Sequence, residues 1–255
     1  MTGAGGRYDK GPIEDTTMPR EILNEQQVAM YLHMDIREVV KLASRGQIPC
    51  RKVGSGFAFR KGELDHWVEE QIHHLEPERL AEISRGVSLH HGLELSSLVV
   101  SPMIPHGGVA VPLAARTRDA AIRALVDLAD QAELVYGRDD LIEELRKREE
   151  LCSTSLIPGV AFPHPRHPLP YDLAASFVIV GRTSTGIPFG ASDGSLTRLF
   201  FLICCKDERT HLHVLTRLAL MLHDDKAVDE LMAADDADEL RATLLEREQT
   251  VLEKH

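Results

Sequence analysis

The sequence predicts two folded units, a small helix-turn-helix unit with a β wing and a larger α/β unit, giving a mixed α+β and α/β chain. Three observations carry this. The length of 255 residues suits two domains better than one. The patterning changes along the chain, from two short helices and a hairpin within 19–72 to strands alternating with amphipathic helices from about 93 to 248. The net charge of −11 is also uneven: residues 1–72 hold 10 Lys/Arg against 11 Asp/Glu, whereas the rest hold 19 against 29.

In the first unit, Asn24 is placed to cap a helix carrying Val28, Ala29 and Leu32. His33-Met34-Asp35 reads as a short turn. A second amphipathic helix, with Val39, Val40 and Ala43 among its apolar positions, stops at Gly46. Two strand-like runs, 48–53 and 57–60, flank Gly54-Ser55-Gly56, and Lys61 opens a third helix that carries Leu64, Trp67 and Val68. Helix, tight turn, helix and small hairpin is the winged helix-turn-helix plan. Residues 73–92 read as a linker, with a short helix from Pro77 to about Arg85 stopped by Gly86.

In the second unit, Thr117 caps a helix to about Gln131, and a second helix runs from Arg138 to about Glu149. Strands are expected near Val160, over 176–181 and over 199–205. Leu215, Leu218 and Leu222 mark the core stripe of a later helix, and two more helices fill 226–248 around an acidic turn at 235–238. Residues 1–18 are polar and Gly-rich with no apolar run, which reads as a disordered N-terminus with no signal peptide, and 249–255 as a tail.

The segment Gly159-Val-Ala-Phe-Pro-His164-Pro-Arg166 concentrates the chemistry. Flanking prolines hold His164 in an extended, rigid stretch at a strand end. A pre-organised imidazole serves as proton shuttle, metal ligand or nucleophile. A polar turn, Lys206-Asp-Glu-Arg-Thr210, leads into a helix at His211, a second histidine that lies one helical turn before Leu215 on the core stripe and so points inward at the helix start, a position favourable to anions. On spacing alone it reads equally as a core histidine with satisfied hydrogen bonds. His213 sits about 200° further round the helix, which excludes a shared metal ligand at His-x-His.

Together these segments resemble the EIIA domain of the bacterial phosphotransferase system, of the fructose/mannitol and nitrogen-regulatory type. The pieces are Arg148-Glu-Glu-Leu-Cys-Ser-Thr154, Gly159-Val-Ala-Phe-Pro-His164, Gly186-Ile-Pro-Phe-Gly-Ala-Ser-Asp193-Gly194, Leu199-Phe-Phe-Leu202 and His211-Leu-His-Val-Leu-Thr-Arg-Leu-Ala219, in the family's order. The resemblance implies a mixed central sheet with helices on both faces. It implies phosphorylation of His164 by a histidine phosphocarrier protein (HPr-like), with His211 as second active-site histidine and Arg148 at the phosphate. Ser153 and Thr154 would add hydroxyls. It implies a phosphocarrier rather than a multiple-turnover metabolic enzyme, with no cofactor. The family often has glycine where Cys152, Ser155 and Pro158 stand.

Residues 19–72 resemble the excisionase-like, MerR-related winged helix, through Arg45-Gly-Gln-Ile-Pro49, the Val53-Gly54 wing and Arg60-Lys-Gly-Glu-Leu-Asp65 followed by Trp67. That resemblance implies DNA as partner. Arg37, Lys41 and Arg45 would lie on the recognition helix, with Arg51, Lys52, Arg60 and Lys61 at phosphates. Asp35 and Glu38 weaken this surface. One such unit makes few phosphate contacts, so a homodimer reading two half-sites is expected.

The four cysteines have no C-x-x-C spacing, and His73/His74 and His90/His91 lack an accompanying ligand framework, so neither a zinc site nor a disulfide scaffold is expected and the cytoplasm fits. No apolar run is long enough to insert in a membrane. Three functional readings follow: a phosphorylation-responsive DNA-binding regulator, a sugar-transport EIIA component with an accessory protein-contact winged helix, and an interaction module without turnover. The retention of His164, Arg148 and His211 weighs against the third.

Overall fold

The computed structural model describes residues 22–32, 34–71, 78–83, 85 and 97–254. The disordered segment expected at 1–18, the paired histidines at 73/74 and 90/91, and the Pro77 and Gly86 helix limits lie outside them.

The N-terminal unit is built on local signals. Helix α1 (Glu25–Tyr31) starts at a capping box, with Asn24 Oδ1 accepting from Gln27 N at 2.9 Å and Gln27 Oε1 accepting from Asn24 N at 2.9 Å. Helix α2 (Ile36–Ser44) is capped by Asp35, which accepts from Arg37 N at 2.7 Å. A hairpin of β2 (Arg51–Val53) and β3 (Gly56–Arg60) turns at Gly54, whose φ of 59° is a left-handed conformation that glycine adopts without strain. Helix α3 (Lys61–Gln71) follows at once. The sequence reading missed β1 (Ile22–Asn24), which pairs antiparallel with β3 and gives the sheet order β1-β3-β2. Its three residues carry too little pattern to identify a strand; the partner across the sheet defines it.

The C-terminal unit is a mixed α/β fold. Four strands, β4 (Val109–Ala110), β5 (Val160–Ala161), β6 (Phe177–Ile187) and β7 (Thr197–Cys204), stand in the order β4-β6-β7-β5. The central β6/β7 pair is antiparallel, while β4 on β6 and β5 on β7 are parallel. Side chains alternate with the pleat. Val178, Val180, Phe201 and Ile203 face one side; Phe177, Ile179, Phe200 and Leu202 face the other. The first face is covered by α7 (Glu208–Met221), α8 (Asp225–Ala233) and α9 (Ala237–Lys254). The second is covered by α5 (Arg118–Gln131) and α6 (Arg138–Leu151). A short helix α4 (Val100–Met103), with no sequence signal, opens the unit. Thr117 caps α5 as read, accepting from Ala120 N at 3.2 Å. Helix α9 runs to Lys254, through residues set apart as a tail. Cys204 and Cys205 fall in the cores on opposite faces of the sheet, and all four cysteines are free. No helix among the described residues is long and apolar enough to cross a membrane.

The two units share apolar packing. In 78–83, Leu80 lies in the core with β7 and α7, while Ile83 lies in the N-terminal core with Tyr31 and Leu64. Arg79 Nη2 donates to Leu32 O at 3.3 Å.

Helix α7 is buried almost all round, so the single stripe read from its leucines understates it. His213, on the opposite side from the leucine stripe, is buried near Arg217 and Glu248. Burial, aided by the Arg217 charge, lowers its pKa to about 4, against the pull of Glu248. The folded state therefore keeps His213 neutral where the unfolded chain protonates. This contribution to stability is complete above about pH 6.5 and is lost as pH falls toward 4, by about 3 kcal/mol at most. Urea unfolding at pH 7 and pH 4.5 should show the loss in the wild type and a smaller one in His213→Asn; equal losses would remove His213 as its source.

Candidate functional site

His164 lies three residues beyond the end of β5, and its segment is clamped from both sides. Ile203 N of β7 donates to Pro163 O at 2.9 Å, and Phe162 N donates to Thr154 O at 3.0 Å. Gly159, at φ 79°, starts the segment in a conformation reserved for glycine, and its carbonyl accepts from Arg198 N and Leu199 N. Phe162 stacks on Phe201 beneath, with centroids 5.7 Å apart. The imidazole is only 3% exposed, and its Nε2 is buried.

Its Nδ1 lies 2.7 Å from Phe162 O. A carbonyl can only accept, so Nδ1 carries a proton, and in a neutral imidazole the lone pair then lies on Nε2.

The His211 ring lies 4.9 Å from the His164 ring, tilted by 52°. The two histidines, 47 positions apart in sequence, form one site. Helix α7 begins three residues earlier than the sequence reading placed it. Asp207 caps it, accepting from Thr210 N and Thr210 Oγ1 at 2.8 Å each. His211 N already donates to Asp207 O at 3.2 Å. The amides at the helix end belong to Glu208–Thr210, so His211 contributes its ring rather than its backbone N–H.

Arg148 lies in the last turn of α6, 6% exposed. Its Nη1 donates to Cys152 O at 2.9 Å, and its buried Nε has no hydrogen-bond partner among the described residues. An unsatisfied guanidinium N–H inside a protein is costly unless a ligand oxygen completes it. The loop it holds, 152–155, runs beside the His164 segment through the Thr154–Phe162 hydrogen bond.

The loop hydroxyls are placed differently from the sequence expectation. Thr154 is fully buried, and its Oγ1 and N both donate to Glu149. Ser153 Oγ donates to Phe189 O at 2.9 Å and accepts from Ser155 N at 3.1 Å. Both hydroxyl protons are engaged within the protein, so in this arrangement neither can donate to a phosphoryl oxygen. They staple the loop instead.

Two residues passed unnoticed in the sequence. Glu149 is buried beside Arg148; burial raises its pKa, against the Thr154 hydrogen bonds and the charges of Arg148 and Arg118. Arg118, at the start of α5, lies 5.7 Å over the Phe189 ring, and its guanidinium and Ser153 both lie against Gly190. The contacts of Arg118 are remote in sequence, and those of Glu149, though local, follow no helical spacing that would mark them.

In the N-terminal unit, Arg37, Lys41, Arg45, Arg51 and Lys52 are exposed. Arg60 is half-buried and pairs with Glu63 at 2.9 Å. Lys61 is 7% exposed, its ammonium 5.1 Å from the Tyr31 ring centroid. It is thereby withdrawn from the basic surface to which the sequence assigned it. Among the described residues no group of three or more His, Cys, Asp and Glu could hold a metal ion.

A family model described as phosphoenolpyruvate-dependent sugar phosphotransferase system, EIIA 2, matches residues 103–247. The nitrogen regulatory protein of Bradyrhizobium diazoefficiens is 32% identical over 126 residues, 48% of this chain and 80% of that protein. The fructose-specific EIIABC component of Bacillus subtilis is 24% identical over 141 residues, 54% of this chain, and the chain spans only 22% of its length. The crystal structure of nitrogen regulatory protein IIA-Ntr from Neisseria meningitidis superposes with a TM-score of 0.51 at 27% identity, covering 56% of this chain and 97% of that one. The matched stretch takes up more than half of the chain and carries the strands and helices that bring His164 against His211, together with the end of α6 that bears Arg148. By that match the chain belongs to the EIIA type 2 family of the phosphotransferase system.

Proposed function

We propose that the chain is a phosphorylation-responsive regulator. His164 accepts a phosphoryl group from a phosphohistidine carrier, and the N-terminal unit, a winged helix-turn-helix, reads that state out on DNA. The observation that carries the first half is the Nδ1–H of His164 committed to Phe162 O, with the ring against His211. The lone pair on Nε2 attacks phosphorus, the donor's N–P bond breaks, and the donor nitrogen takes back its electron pair. Nδ1 keeps its proton throughout. Such a transfer asks the protein for alignment and charge neutralisation. Arg148, with its unsatisfied Nε–H, and the His211 ring supply them. The reaction belongs in the cytoplasm, with its carrier.

The DNA half rests on the exposed row Arg37, Lys41, Arg45, Arg51 and Lys52. Asp35 spends its carboxylate on capping α2. A single unit with five basic contacts, joined to an acidic unit, needs a second copy for useful affinity. The similarity to sugar-specific EIIA components supports a second reading, in which the chain passes phosphate on to a transport partner and the N-terminal unit contacts protein.

The test is direct. Incubation with a phosphorylated histidine carrier should give label on the chain that is labile in acid and stable in alkali; acid-stable label, or none, removes the reading. A shift assay on the chain's own promoter region should show affinity falling with salt, with a log–log slope of about −0.9 per phosphate neutralised. Arg45→Ala should lower that slope by about one per bound unit. No binding at low salt would favour the transport reading.

A further inference from the structure

We propose that the contact between α3 and the first turn of α7 is a gate that closes the phosphoacceptor site, so that phosphorylation of His164 and release of the N-terminal unit favour one another. This rests on the phosphoacceptor reading and names its regulation.

A nucleophile that receives a phosphoryl group from another protein must be reachable by it. Here His164 Nε2 is buried, and the His164 and His211 rings already touch. The site is closed, and something must move.

The packing of α7 identifies what moves. Leu212, next to His211, is fully buried, not in the core beneath the sheet but in the N-terminal unit's own cluster, with Leu64, Val68 and Ile83. Glu208, one turn before Leu212 on the same helix face, approaches Gly62: a Cβ added there would lie 3.4 Å from Glu208 Oε1. Helix α3 therefore rests on the turn that presents His211. Lifting α3 frees Glu208 and Leu212, and with them the His211 ring that packs on His164.

The coupling is reciprocal by necessity. A phosphoryl group on Nε2 places about two negative charges on three oxygens, offset by one positive charge on the ring while Nδ1 keeps its proton, in a volume now filled by ring contact. A dianion without room for its partners or water is costly to bury, so the phosphorylated chain favours the open arrangement. An open N-terminal unit, conversely, exposes Nε2 to the carrier. The charge itself need not reach the DNA-binding surface, since the α3–α7 contact carries the signal as a change of packing.

Charge at Gly62 tests the gate without touching the site. Gly62 is exposed and helical, and among the described residues an added Cβ would meet the end of a flexible side chain, so substitution should leave both units folded. Gly62→Glu sets a second carboxylate against Glu208 and should open the gate. Initial labelling by the phosphorylated carrier should rise roughly fivefold or more. Adding Glu208→Lys should turn repulsion into attraction and bring the rate to wild type or below. In parallel, amides of 61–71 and 208–212 should exchange faster in phosphorylated than in unmodified full chain. Labelling at equal rates in all three proteins, with unchanged exchange on phosphorylation, overturns the gate while leaving His164 as acceptor. No label in any of them overturns the acceptor reading and the gate with it.

Discussion

His164→Ala is expected to take no acid-labile label from a phosphorylated histidine carrier, while its urea midpoint stays near that of the wild type. The loss should be complete, because no other group is prepared as His164 is. His211 sits in the first turn of α7, away from the proline-framed segment in which the Phe162 carbonyl accepts from His164 Nδ1. His164→Asn is a useful companion, since its amide can still donate to that carbonyl and yet offers no nucleophilic lone pair on nitrogen. Arg148→Ala should retain labelling but slow it by about a hundredfold, equivalent to about 2.7 kcal/mol of transition-state stabilisation. Its Nη1 bond to Cys152 O is the only one the guanidinium gives the loop, whereas Glu149 and Ser153 hold 152–155 independently. Residual label in His164→Ala would move the acceptor elsewhere; an unchanged rate in Arg148→Ala would return that residue to a structural role.

What the sequence disclosed, and what it hid, divides by range. The caps at Asn24 and Thr117, the stop at Gly46 and the turn at Gly54 are legible because each is a contract between neighbours a few positions apart. The His164 segment is legible for the same reason: its prolines and Gly159 act on adjacent backbone. The union of His164 with His211 could be expected only through the order of five short pieces, since no local rule joins residues 47 positions apart. Misplacements arose where a polar side chain had a hidden appointment. Thr154 looked like a phosphate ligand and turned out to serve Glu149; Lys61 looked like a phosphate contact and turned out to lie against Tyr31. The start of α7 was misjudged because Asp207, Glu208 and Arg209 read as turn, whereas Asp207 is the cap. The docking of Leu212 into the N-terminal core left no mark in the pattern of α7, which is buried on almost every side.

The largest expected effect on stability belongs to a residue far from the site in sequence. Glu248, fully buried in α9, accepts from Val99 N at 2.6 Å, Val100 N at 2.8 Å and Ser101 N at 2.8 Å, across a separation of 147 to 149 positions. These are the unsatisfied amides at the start of α4, which no side chain of its own caps. Its charge also supports protonation of Arg217, which burial opposes, and of His213. One carboxylate thus binds the C-terminal helix to the start of the unit and to α7. Glu248→Ala removes the acceptor from three buried or half-buried amides and the countercharge from a buried arginine. Breaking such an arrangement from one side costs about 3–5 kcal/mol, against about 5–15 kcal/mol for the stability of a whole domain. Glu248→Gln keeps one carbonyl oxygen for the amides and should lose about 1–3 kcal/mol. In urea the midpoint should fall in that order with the slope unchanged. The slope matters, because an unchanged one shows that the native surface is intact and only its stability has dropped. Because α7 presents His211 to His164, Glu248→Ala should also loosen the His164–His211 contact at temperatures where the chain remains folded. Its labelling by the carrier would change together with amide exchange in 208–221. A Glu248→Ala midpoint within error of the wild type would mean that water replaces the carboxylate at the α4 amides and that α7 is positioned by its apolar contacts alone.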